Sequence, residues 1–156
     1  MNASIIHPGD RLETLSRKLQ QLHALTLETE KQFHPVMGGW DLLDKLMKDP
    51  AWAWLRPLSA LIADIDHVLA QDVPATEYDL AVVASHAREL LAGEGEANAA
   101  FVERYLPLLQ MSAELISVHG ELKKLLKDAP SESGDEAERL HHRHQWAMRC
   151  KHRRQG

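Results

Sequence analysis

The chain has a single cysteine, Cys150, in 156 residues. One thiol closes no internal disulfide, which excludes a small stapled secretory fold and points to a reducing compartment. Aromatic residues make up only 5% of the chain, so a core has to be built mainly from aliphatic side chains. The eight glycines and seven prolines are too few for a collagen-like or low-complexity chain, and they fall between periodic stretches, where they act as punctuation. No apolar run approaches the ~20 residues of a bilayer span. Residues Met1 to Pro8 show neither a basic n-region nor an apolar h-region, so no signal peptide is expected. Together these absences predict a cytoplasmic globular protein with no membrane span.

Acid is missing from one end of the chain. All 23 Asp and Glu, with 12 of the 18 Lys and Arg, lie in residues 1–138, a net charge of −11. Residues 139–156 hold the other six basic groups and no acid. The overall −5 therefore averages an acidic body and a basic, histidine-rich tail.

What is present throughout is a helical period. Leu12, Leu15, Leu19, Leu22, Thr26, Thr29 and Phe33 recur at spacings of three and four, a single stripe of a long helix opened by Asp10 and Glu13 and stopped before His34-Pro35. Asp41–Met47 predicts a short helix. Asp49 as cap and Pro50 at the first helical position open the next, with Leu58, Leu61, Ile65 and Val68 inward. Pro57 either kinks that helix or marks the start of its regular part. Thr76 and Asp79 stand in capping-box spacing ahead of Leu80, Val83, Ala84, Ala87 and Leu90, and Gly93 supplies a left-handed stop. Phe101–Leu109 reads as a short helix disturbed by Pro107. Ser112 caps the last body helix, with Leu115, Val118 and Leu122 inward.

No convincing period-two strand occurs. The predicted fold is all-α, an antiparallel bundle of four main helices plus two or three short ones. The bundle occupies residues 1–129, a linker 130–135, and a basic tail 136–156 that is partly helical or disordered. Ser133 and Glu136 have capping-box spacing at its start.

The run Asp49-Pro50-Ala51-Trp52-Ala53-Trp54-Leu55-Arg56-Pro57-Leu58-Ser59-Ala60-Leu61-Ile62-Ala63-Asp64-Ile65-Asp66 resembles a stretch shared by small bacterial all-helical proteins to which no activity is assigned. The resemblance extends loosely over residues 10–127 and leaves the tail out. It implies a cytoplasmic bacterial origin and supplies no catalytic residues.

No glycine-rich phosphate loop, nucleophile elbow or dinucleotide fingerprint is found, so the sequence assigns neither catalytic residues nor a cofactor. His23, His67, His86 and His119 place one imidazole on each main helix, which keeps a metal-binding bundle as an alternative. The stripes set His67 toward water, and Asp64/His67 and His86/Glu89 read as solvated pairs. In the tail, His141, His144 and Cys150 form a weak transition-metal set without zinc-finger spacing.

Contact residues are the clearer prospect. Trp54 and Leu55 read as a lid over the bundle end; Trp52 lies off the stripe, which leaves two readings, a part of that hydrophobic lid or an exposed tryptophan beside Arg56 with the composition of an interface hot spot. Arg143, Trp146, Arg149, Arg153 and Arg154 interleave charge with one aromatic, suiting a protein partner, or a nucleic acid or other polyanion. The same tail can instead fold back on the acidic body. The reading that unites these features is a non-enzymatic helical protein-interaction module.

Overall fold

A computed structural model describes residues 7–32 and 50–155, and all of the secondary structure among them is helical. Six α-helices follow in order: α1 (Pro8–Lys31), α2 (Arg56–Leu69), α3 (Glu77–Ala92), α4 (Glu96–Leu109), α5 (Ala113–Asp128) and α6 (Glu136–Gln155), with a 3-10 turn over Pro50–Leu55. The predicted short helix Asp41–Met47 and the cap at Asp49 lie outside the described residues. None of the described helices is long and apolar enough to cross a membrane.

Helix α1 starts at Pro8, ahead of the predicted cap at Asp10. Proline's fixed φ suits a first helical residue, and Asp10 lies inside the first turn, where its charge faces the positive helix end. The predicted stripe is the buried one, from Leu12 to Thr29. Its two threonines bury at low cost because Thr26 Oγ1 donates to the Leu22 carbonyl at 2.7 Å and Thr29 Oγ1 to the Leu25 carbonyl at 2.8 Å. Helices α2, α3, α4 and α5 all pack against α1.

Pro57 lies in the first turn of α2, so it marks the beginning of the regular helix and introduces no kink. At α3 the capping box forms as its spacing predicts: Asp79 N–H donates to Thr76 Oγ1 at 3.1 Å, and Thr76 N–H donates back to the Asp79 carboxylate at 2.9 Å. Gly93 ends α3 at φ 74°, a left-handed geometry that glycine adopts without a Cβ penalty. Helix α4 begins more than a turn before the predicted Phe101, and Pro107 sits in its last turn, where the lost backbone bond is tolerated. Ser112 caps α5 through Leu115 N–H, as predicted.

The basic tail forms a regular 20-residue helix. Asp135 performs the capping predicted for Ser133, its carboxylate accepting from Glu138 N–H at 2.9 Å. Helix α6 packs on α2 and α3, and its Trp146 and Cys150 join the same apolar cluster as Leu12, Leu58, Leu80 and Leu115.

Candidate functional site

The inner side of α6 carries Arg143, Trp146, Arg149 and Cys150. Trp146 is 3% exposed, and Cys150 is fully buried. The two arginines bracket them. Arg143 grips Glu132 with two nitrogens, Nε at 3.0 Å and Nη2 at 2.6 Å, and reaches Glu89 of α3 at 2.7 Å. These carboxylates stabilise the guanidinium cation, and Arg143 in turn helps hold the Glu132 carboxyl below its usual range, against the opposing effect of burial. Arg149 is ion-paired to Asp79 at the start of α3, donates to the Gln71 side chain at 3.1 Å and to the Val73 carbonyl at 2.8 Å. Part of the tail's positive charge is therefore answered by the body's own carboxylates. The side chains of Arg153 and Arg154 lie outside the described residues.

The tryptophan corner is also turned inward. Of the two readings of Trp52, the lid holds and the exposed hot spot does not: the side chain is 2% exposed, because the 3-10 geometry of Pro50–Leu55 rotates it off the helical wheel that the sequence implies. Trp54 is buried as well, tilted against Phe101 at 5.7 Å between centroids, with the Arg104 guanidinium over its ring. Arg56 alone of that trio faces outward.

The outer side of α6 is different in kind. Leu140 and Met148, two turns apart, are 60% and 49% exposed. His141, His144, Gln145, Ala147 and Lys151 share that exposed side. Tyr78 lies at its edge, exposed and stacked on His142 at 3.9 Å. Leu140, His144 and Met148 fall on one side as their i,i+4 spacing dictates, and that side points to solvent.

The body histidines are tied up separately. His23 Nε2 is hydrogen-bonded to Ser59 Oγ at 2.9 Å, and that hydroxyl also has the Leu55 carbonyl at 3.2 Å as an acceptor. Tyr105 Oη and His119 Nδ1 are hydrogen-bonded at 2.7 Å; burial raises the phenol's pKa and lowers the imidazole's. His67, predicted to face water, has Nε2 buried without a hydrogen-bond partner, and its predicted solvated partner Asp64 is 4% exposed. Among the described residues no three His, Cys, Asp or Glu side chains converge as metal ligands. His141 and His144 are exposed, whereas Cys150 is buried on the opposite side of α6, so this suggested ligand set does not meet.

Between α2, α3 and α6 lies an open cleft of about 330 Å³. Asp64, His86, Glu89, Asn98, Arg143 and Trp146 contribute to its walls. His86 Nδ1 is 3.5 Å from Glu89, and burial, helped by the Arg143 charge, lowers its pKa below the ordinary value despite that carboxylate. Sequence reasoning missed this cluster. Only the His86/Glu89 spacing is local; Glu132 and Arg143 meet them through the docking of α6.

In keeping with a resemblance that carries no assigned activity, no protein-family model matches the chain, and no curated protein or solved structure gives a match.

Proposed function

We propose that this chain is a non-enzymatic helical interaction module of the bacterial cytoplasm, receiving an acidic, apolar-striped helix of a partner protein on the outer face of α6. The observation that carries the reading is the exposure of Leu140 and Met148 on a helix whose opposite side is sunk into the core. A surface helix that exists only to complete a bundle directs its large apolar groups inward. Here two of them point away, with Lys151, His141 and His144 beside them and Glu136 at the N-terminal end of the stripe. A partner helix with leucines at i and i+4, and Glu or Asp where it meets Lys151, would bury this stripe and pair that lysine. The cytoplasmic setting is supported by the sequence's single cysteine, which leaves no internal disulfide to form, and by the resemblance of residues 49–66 to bacterial helical proteins.

Polyanion binding has fewer groups to draw on, because Arg143 and Arg149 are engaged within the fold. The experiment is affinity capture from nuclease-treated bacterial lysate, followed by amine cross-linking, with the wild type and a Leu140→Glu/Met148→Glu double variant. The reading expects a captured protein that cross-links to Lys151 and is lost in the double variant. Equal capture by both proteins, or retention only by heparin with a steep salt dependence between ~50 and 200 mM, contradicts it.

A further inference from the structure

We propose that a second cleft, between the C-terminal halves of α3 and α5, is a binding site for a small phosphate monoester, a phosphoryl group carried on a compact apolar body. This cleft is open and holds about 300 Å³, with Arg88, Leu91 and Ala92 of α3 on one wall and Lys123, Leu126 and Lys127 of α5 on the other. The inference is independent of the partner-helix reading, since among the described residues none of α6 lines this cleft.

Charge selects an anion. All three charged residues that line the cleft are cations, and no carboxylate lines it. Arg88 Nη2 donates to the Leu126 carbonyl and, at 3.3 Å, to the Ala129 carbonyl, so its partners are neutral and its charge is not cancelled. Among the described residues Lys123 and Lys127 have no ion pair. The neighbouring acids are used elsewhere: Glu89 and Glu132 are held by Arg143, Glu121 by Lys18, and Asp128 lines a different groove beside Arg11. The carbonyl end of α5 adds a partial negative charge of about half a unit, well short of three cations.

The donors favour a phosphoryl group over a carboxylate. Each two-nitrogen fork by which a guanidinium grips a carboxylate uses Nη2, and that atom of Arg88 is given to the carbonyls. What remains is three separate donors, one from Arg88 and one from each lysine, and a phosphoryl group meets them with three terminal oxygens. Leu91, Ala92 and the buried Leu126 supply an apolar side. A volume of about 300 Å³ lies at the small end of ligand pockets, which run from ~300 to 1,000 Å³, so the apolar body is a single ring or a short chain.

The probes are phenyl phosphate, inorganic phosphate, phenol and benzylamine, each titrated at pH 7.5 and constant ionic strength while amide shifts of α3 and α5 are followed by NMR. Phenyl phosphate is expected to saturate with a millimolar or tighter Kd, and to bind at least ~10-fold more tightly than phenol or benzylamine. Inorganic phosphate, without the apolar body, should bind at least ~3-fold more weakly. Lys123→Gln with Lys127→Gln should weaken phenyl phosphate by ~10-fold or more and leave the fold intact, since both side chains are exposed. Lys123→Arg with Lys127→Arg keeps the charge and should keep the binding. Lys124→Gln with Lys151→Gln makes the same charge change outside the cleft and should alter the affinity by less than ~2-fold. Phenol or inorganic phosphate binding as well as phenyl phosphate overturns the proposal. So does the absence of saturable shifts up to ~50 mM, or a loss from the outside pair that equals the loss from the lining pair.

Discussion

Arg149 reaches three acceptors across the α2–α3 connection, and its carboxylate partner Asp79 is itself buried and part of the Thr76 capping box. Removing one member of such a pair strands the other, which is costlier than removing both. Arg149→Ala should therefore lower stability by ~2–4 kcal/mol in urea unfolding, whereas Leu140→Ala, on the solvent side of the same helix, should stay within ~0.5 kcal/mol. Trp146→Ala should cost ~3–5 kcal/mol, because it leaves a hole between α6 and the body. The histidines set a pH dependence with a definite sign. Burial lowers the pKa of His23, His86 and His119, so below the ordinary value of 6.5 the unfolded chain takes up protons that the folded one refuses. Stability should then fall as pH drops from 7 toward 5. Glu132, whose carboxyl is held below 4.5, extends the loss into more acidic solution. Thermal unfolding across that range should show the slope, and His23→Gln with His119→Gln should flatten it; a Tm rising toward pH 5 would contradict this assignment.

At the scale of elements, local signals were the reliable ones. The Thr76/Asp79 box, the Gly93 stop and the Ser112 cap are each settled by hydrogen bonds within four or five residues, and each forms where its spacing predicts. Thr76→Ala should cost ~1 kcal/mol by chemical denaturation, the usual value of a lost cap. Gly93→Ala should cost about the same, since φ 74° strains any Cβ and Val102 lies 3.4 Å from the added carbon. What could not be read locally was decided by packing. The inward turn of Trp52 goes with its place in the apolar cluster and with a 3-10 geometry that no periodicity in its segment records. The tail is the clearest case. Its composition reads as a solvated basic end, yet Trp146 and Cys150 fall on one side of a helix, and that side finds the surface of α2 and α3.

Across the whole molecule, the division between acidic body and basic tail describes two surfaces that meet. Glu89, Glu132 and Asp79 answer Arg143 and Arg149, so the charge asymmetry visible in the sequence helps to close the fold. The charge of the tail is thus legible in the sequence, but not which of its sides is buried: of the predicted contact residues, Trp52, Trp54 and Trp146 are internal, and the exposed apolar pair Leu140 and Met148 was not among them. The cleft beside Arg143 lies beyond sequence reach for the same reason, since its walls come from α2, α3, α4 and α6. The proposed partner face requires α6 to be docked, and Cys150 reports on that contact directly. In native buffer its thiol should react with a disulfide reagent only as fast as the protein unfolds, with full reactivity restored in denaturant. Reaction of the native protein at the rate of an unfolded peptide would mean that α6 is not packed, and the account of its two faces would fall with it.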